Sequence, residues 1–410
     1  MVKILIGGSP CTRWSIAQTK NRETEASGIG WELFLNYRIA RDKYQPDYFL
    51  YENNKSMSPA IRAQITAELG VEPVLINSAL VSAQNRQRLY WVGRRNPDGT
   101  YSQVAVEQPV DRGILLRDIL ESGVCWREKA YTLKANYANA GAVNGVDGGH
   151  FPATMAAEPV RIGTIENDAK NQAFDSQQYR VYSPDAKSVT LCGNGGGLGA
   201  KTGLYAVPAG MAWRGRENGS AFEMRDDQKS NAVAATGHQS RLVIEAADGK
   251  QMPVYEVRGG QITIKGKTYP IKLADGFYII RKLTVTECKR LQTVPEEYVF
   301  PVSDSQAYKM LGNGWTVDVI AHIMSHFEGL TTEPVEVLSM YDGMSCGHIA
   351  LDKLGVQPWL IRYYATEIDK YAIQTTQHNF PDTVQLGDAF QVREENWVPV
   401  QKAFSGGGMT

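Results

Sequence analysis

The sequence predicts an α/β protein built on a doubly wound, mostly parallel sheet, with a loop- and β-rich region let into it. Three observations carry that reading. Residues 1–93 alternate short apolar runs with amphipathic ones: VKILIGG, DYFLYEN, EPVLINS and RLYWVG are strand candidates, and helices are expected over 31–43 and 58–69. Residues 282–410 return to the same style, with VEVLSMY, IRYYATE and TVQLGD separated by helical segments in a βαβαβ order. Residues 94–281 differ. Glycine becomes dense there (NAGAVNGVDGGHF, LCGNGGGLGAKTG), and runs such as QITIKG replace helical periodicity.

Each element has a local reason. Between the N-terminal strand candidates, 31–43 and 58–69 read as helices by their apolar periodicity. TVTECKRLQTV and SQAYKMLGNGWTVDVIAHIMSHF read as largely helical, and EGLTTEP as a turn before VEVLSMY. The tail KAFSGGGMT carries no pattern that would order it.

Composition narrows the class. The chain has 410 residues, 43% hydrophobic and 21% charged, which describes an enzyme-sized globular protein of two domains. No apolar run approaches the roughly 20 residues that cross a bilayer, and the start lacks a secretory signal. Five cysteines without a CxxC pair argue against a disulfide framework or zinc ribbon, and six scattered histidines lack metal spacing. A cytoplasmic monomer without metal is expected. The net charge of −1 announces no nucleic acid, although a local basic surface can hide beneath such a total.

Chemistry concentrates at two places. In IGGSPCTRWS, an apolar strand runs into two glycines and a proline, which presents Cys11 as a candidate nucleophile. Glu52 ends the next strand in LYENN. SAQNRQRLYW sets Gln84, Arg86 and Arg88 at every second position, on one face of a strand. At the other end of the chain, Asp342-Gly343 and the small residues Ser345 and Gly347 open a helix after a strand. Glu367 and Asp388 then follow the next two strands. An acid at the second tip suits a ribose diol and one at the third an exocyclic amine. That is a nucleoside-bearing cofactor. A dinucleotide remains possible, but GxGxxG is absent and S-adenosyl-L-methionine fits better.

The blocks GGSPCTRWS, YENN, AQNRQRLYWVG, RKLTVTECKRLQTVPEEY, QAYKMLGNGW, SMYDGMSCG, ATEIDKYA and QLGD closely resemble those of the cytosine-5 DNA methyltransferases. The order differs, since the cofactor blocks come last instead of first. The resemblance therefore implies a Rossmann-like S-adenosyl-L-methionine-dependent methyltransferase sheet that is circularly permuted between its third and fourth strands. Residues 1–93 and 282–410 would form one catalytic domain around a target-recognition domain at 94–281.

The resemblance also implies roles. Cys11 would add to C6 of a cytosine flipped out of double-stranded DNA, Glu52 would hold its N3/N4 edge, and Arg88 would hold O2 and orient Glu52. Tyr341, Asp342, Gly343, Ser345, Gly347, Glu367, Ile368 and Asp388 would bind the cofactor, with Asn313 and Pro10 closing the far side. Arg86 would meet a backbone phosphate, Gln84 and Ser15 would contact DNA, and Arg13, Lys20 and Arg22 would clamp phosphates from a loop at 12–28. Asn136, Asn139, Asn194, Gln239 and Arg241 are candidates for reading base edges. Thr12, Asn53 and Tyr341 depart from the family pattern, and Asn53 is expected to make the surroundings of Glu52 more polar.

In isolation each of these residues has a plainer reading, as a core cysteine, a solvated acid or a turn former. Their coincidence favours the catalytic one. GGGLGAKT misses the phosphate-loop pattern by one residue and lacks a following helix. The alternatives are a tRNA cytosine-5 methyltransferase and a catalytically silent DNA-binding relative.

Overall fold

A computed structural model describes residues 1–10, 13–14, 22–147, 152–159, 161–164, 180–182, 204–205, 210–216, 219–225, 243–245 and 251–397. The chain divides into two compact units. One takes residues 1–119, 128–140 and the chain from 284 onward, and the other takes 120–127 and 141–283.

The first unit is organised by an eight-stranded sheet. Its strands, in chain order, are β1 (Val2–Gly7), β2 (Tyr48–Asn54), β3 (Pro73–Asn77), β4 (Gln87–Arg95), β5 (Tyr101–Gln103), β6 (Val335–Met340), β7 (Ile361–Thr366) and β8 (Val384–Gly387). They lie in the order β8-β7-β6-β1-β2-β4-β3, with β5 paired to β4. The first strand of the chain is thus central. It pairs in parallel with β6 from Val2 opposite Val335 to Gly7 opposite Met340, and with β2 from Ile4 opposite Tyr48 to Gly7 opposite Tyr51.

β4 runs antiparallel to both β2 and β3. The physical reason is its connection: β3 reaches β4 through nine residues containing a single 3-10 turn, too little chain for a parallel crossover.

Helices cover both faces: α1 (Gly28–Tyr44), α2 (Pro59–Leu69), α3 (Val285–Leu291), α4 (Asp304–Asn313), α5 (Val317–Met324), α6 (Cys346–Lys353) and α7 (Lys370–Asn379). β1 shows why the sheet needs both layers. Leu5 joins a cluster with Phe34, Tyr37, Tyr51, Trp91 and Leu338 on the α1 side. Ile6 points the other way, toward the start of α6. Ile4, Leu5 and Ile6 are all fully buried, as expected of a parallel strand sandwiched between helices. Ser58 caps α2, accepting from the Ile61 N–H at 3.2 Å, and Thr284 with Glu287 forms a capping box on α3. The long helical run expected over 305–327 breaks after Asn313, and α5 starts only at Val317.

Residues 94–119 and 128–140 pack with the sheet unit, beyond the boundary at 93 expected from the sequence. Ala130 and Arg112 donate backbone N–H groups to Ala83 and Leu80, and Lys129 Nζ donates to the carbonyls of Ala79 and Ser82. This backbone is irregular, so it leaves no periodicity in the sequence. The second unit is β-rich. Its described strands include an antiparallel series Lys267–Pro270, Gln261–Ile264, Gln251–Arg258, Gly276–Lys282 and Met155–Pro159. No helix among the described residues is long and apolar enough to cross a membrane.

Because β1 is held between β6 and β2, Ile4→Ala should cost about 2–5 kcal/mol in chemical denaturation. Hydrogen exchange should then show protection lost in residues 335–340 together with 2–7, in one cooperative step. Loss confined to the N-terminal strand would contradict this packing.

Candidate active site

Strand register sets the site. Gly7, Met340 and Tyr51 are partners on adjacent strands, and Met340 is opposite Thr366, which in turn is opposite Gly387. The residues that follow (Gly8, Tyr341-Asp342, Glu52, Glu367 and Asp388) therefore stand in a row along the carboxyl ends of five parallel strands. The order turns outward in both directions from β6 and β1, the position where open α/β sheets form a ligand crevice.

Glu52 is fixed at both oxygens. Arg88 Nε reaches Oε1 at 3.0 Å, and the Trp315 indole Nε1 donates to Oε2 at 3.0 Å. Both members of the ion pair are mostly buried, with side-chain exposures of 15% and 12%, so solvent screens them little. Gly8 makes room for the carboxylate: a Cβ there would stand 2.9 Å from Oε2. In the sequence Trp315 is only a member of the QAYKMLGNGW block, and nothing there points to the carboxylate it holds.

Asn53 does not face Glu52. Successive strand residues point oppositely, and Asn53 Nδ2 donates to the Ser9 carbonyl at 3.2 Å and the Tyr51 hydroxyl at 3.1 Å. Ser9 Oγ and Tyr51 Oη are 2.6 Å apart. The expected polarity around Glu52 is thus corrected: Asn53 ties down the backbone leading to Pro10. Burial pushes the Tyr51 phenol up, so it stays neutral.

The loop after β6 is backbone-strained and densely bonded. Tyr341, Gly343 and Ser345 have φ of 61°, 60° and 58°, so two non-glycine residues sit in the left-handed region. A Cβ on Gly343 would meet nothing within 4 Å, which leaves open space over that peptide. Its N–H donates to Glu367 Oε2 at 2.8 Å, while Glu367 Oε1 accepts from the N–H groups of Ile368 and Asp369 at 2.7 and 2.8 Å. Asp342 accepts from the Tyr363 hydroxyl at 2.8 Å and from Ser345 Oγ. Burial raises its carboxyl to about 6, against the pull of those hydrogen bonds. The Tyr341 hydroxyl donates to the Leu33 carbonyl at 2.7 Å. Ile368 is 73% exposed, an apolar side chain beside Glu367 with nothing covering it. Asp388 is exposed and caps a 3-10 turn through the Phe390 N–H.

Several expectations need correcting. Arg86 is buried and cannot meet a phosphate: its guanidinium donates to the carbonyls of Leu133 (3.2 Å), Gly312 (3.3 Å) and Gly314 (2.9 Å). Gln84 is fully buried and cannot contact DNA, since it bridges the Leu133 N–H and the Leu291 carbonyl. Gly347 lines no loop; it lets α6 approach β1, where a Cβ would fall 2.1 Å from Ile6 Cδ1. Pro10 and Asn313 are exposed, the latter ending α4. Asn136 and Asn139 are exposed within the sheet unit.

Arg22 is exposed and donates to the Ser56 carbonyl at 2.8 Å, and Arg13 is half-buried. Between them Trp14, which sequence reasoning passed over, is fully buried with its indole donating to Glu23 at 3.2 Å. Cys11, Thr12, Ser15, Lys20, Asn194, Gln239, Arg241 and the GGGLGAKT segment lie outside the described residues. Cys346 is buried and its thiol is pushed up to about 12, so it is a packing residue.

Two substitutions check the corrections. Gly347→Ala should cost about 1–3 kcal/mol of stability through overpacking. Arg86→Ala should cost about 3 kcal/mol by orphaning three carbonyls. It should also leave the salt slope of DNA binding unchanged, whereas a lost phosphate contact would lower that slope by about 1.

Residues 1–328 match the family model for C-5 cytosine-specific DNA methylases. The chain is similar to the orphan methyltransferase M.SPRI of Bacillus phage SPR, at 24% identity over 78% of this chain and 81% of that one. It is similar to the type II methyltransferase M.HpaII of Haemophilus parainfluenzae, at 24% over 77% and 69%. It is 52% identical to the type II methyltransferase M1.ScrFI of Lactococcus lactis subsp. cremoris, over 77% of this chain and 60% of that one. The chain belongs to the C-5 cytosine-specific DNA methylase family and is a DNA cytosine methyltransferase.

Proposed function

We propose that the chain methylates C5 of a cytosine flipped out of a specific sequence in double-stranded DNA, through a covalent bond to Cys11. The observation that carries this reading is Glu52, gripped by Arg88 and Trp315 in the same row of strand ends as Asp342 and Glu367. A carboxylate and a guanidinium side by side match the polar edge of a cytosine ring.

In this reading the Cys11 thiolate adds to C6, and the ring electrons displaced by that bond move toward C5. Glu52 holds N3 and the exocyclic amine, stabilising the ring as it takes up charge. Arg88 orients Glu52 and reaches O2. C5 would take the methyl group as its bond to the cofactor's sulfonium sulfur breaks and the neutral thioether leaves; loss of the C5 proton to water then expels the Cys11 thiolate and restores aromaticity. S-adenosyl-L-methionine supplies the electrophilic methyl group when bound.

The residues present fit that cofactor. Gly343 offers open space at its peptide, Ile368 an exposed apolar surface, and Glu367 and Asp388 carboxylates at successive tips. Tyr341, Asp342 and Ser345 shape the loop around them. We further propose that the motif order is a circular permutation, and that the β-rich unit recognises the target, with Arg13 and Arg22 near its phosphates. The tRNA alternative is disfavoured by a family match that is DNA-specific.

Duplex DNA containing 5-fluorocytosine should trap the wild-type chain covalently in the presence of S-adenosyl-L-methionine, and Cys11→Ala should form no adduct. Equal labelled-methyl transfer by the two proteins would reject this chemistry and with it the catalytic assignment of Cys11.

Asp342 gives a pH dependence. A cationic cofactor favours its ionised form, so affinity should be complete well above pH 6 and decline as pH falls through that value. Calorimetry with S-adenosyl-L-methionine should show binding about tenfold weaker at pH 5 than at pH 7.5, and Asp342→Asn should flatten the profile.

A further inference from the structure

We infer that Trp315 is a positioning residue that couples the cofactor loop to the carboxylate holding the cytosine. This rests on the function proposed above and adds a residue to it. The indole N–H can only donate, and it supplies the bond to Glu52 Oε2 that Arg88 does not. The same residue faces the loop with its backbone. The Trp315 carbonyl accepts from Cys346 Sγ at 3.8 Å, and a Cβ on Gly314 would lie 3.3 Å from Cys346 Sγ and 3.4 Å from Met344 Sδ. Residues 342–346 form the loop that Gly343 and Glu367 close, so the peptide carrying the indole abuts the cofactor side directly.

That peptide is clamped from behind. The Gly314 carbonyl accepts from Arg86 at 2.9 Å, Thr316 Oγ1 donates to Gln292 Oε1 at 3.0 Å, and Ser78 Oγ donates to Thr316 at 2.8 Å. A shift of Met344 or Cys346 therefore presses on the peptide that carries the indole. The coupling is reciprocal: whatever cofactor occupancy does to cytosine binding, cytosine does to cofactor binding.

The test compares full-length wild type, W315F, E52Q and the double variant. Single-turnover methylation should fall about tenfold or more in W315F, the usual effect of removing a hydrogen bond to a charged acceptor. If Trp315 acts through Glu52, the double variant should match E52Q within about twofold. Multiplying losses, including those from a general folding defect, would overturn the inference.

A second readout is the factor by which S-adenosyl-L-homocysteine tightens duplex binding. It should exceed one in wild type and drop toward one in W315F; an unchanged factor would overturn the inference. Placing 3-benzothienylalanine at 315 keeps the bicyclic ring and removes only the N–H. It should reproduce W315F, and wild-type behaviour would overturn the inference. The binding factor needs no turnover, so it is read whether or not the catalytic assignment of Cys11 survives its own test.

Discussion

The parallel pairing of β1 with β6 is the constraint on which the rest depends. It joins residues more than 300 positions apart in an unbroken register from Val2–Val335 to Gly7–Met340. Such a contact closes a very long loop, but closure entropy grows only slowly with length, and burial on both faces of the strand offsets it. With β1 and β6 joined, β2 pairs on one side and β7 on the other, and these registers together bring Glu52, Asp342 and Glu367 into one row of strand ends.

This placement explains the unusual local chemistry. A carboxylate removed from water requires donors, and each acid in the row has them: Arg88 and Trp315 for Glu52, Ser345 and Tyr363 for Asp342, and backbone N–H groups for Glu367. The donors arrive from different segments, so the site exists only when the unit is folded. Asp342 is the exception in degree: burial raises its carboxyl, and neutral hydroxyls do not match the pull of a charged partner. The left-handed backbone at Tyr341 and Ser345 persists for a related reason: the Tyr341 hydroxyl is anchored on α1, and Ser345 Oγ meets both Asp342 and Thr376.

Periodic elements were legible in the sequence because pattern and burial agree. The four N-terminal strands and both early helices lie where alternation and spacing placed them. Acids at strand ends were legible for the same reason. Gln84, Arg86 and Gly347 took their roles from the resemblance, yet Gln84 and Arg86 are held by backbone atoms of distant segments and Gly347 by the close approach of Ile6, contacts that leave no trace in a motif. An arginine that collects three carbonyls and one that pairs a carboxylate look alike two positions apart in QNRQR. Only the tertiary contacts of Leu133, Gly312 and Gly314 separate them.

Trp315 shows what motif reading loses. The resemblance draws attention in this block to Asn313, the polar residue between two glycines, but Asn313 is exposed while the indole two residues later reaches Glu52. The glycines matter as geometry. Gly312 packs against the backbone of Lys134 and Ala135 so closely that a Cβ would fall 2.4 Å away, and a Cβ on Gly314 would stand 3.3 Å from Cys346 Sγ and 3.4 Å from Met344 Sδ. Between these two close approaches the chain must leave α4, and it restarts as α5 only after Trp315 and Thr316. A bulkier pair would push the indole away from the carboxylate without touching either one. The helix break is therefore part of the site: it converts two tight backbone contacts into the position of one N–H group.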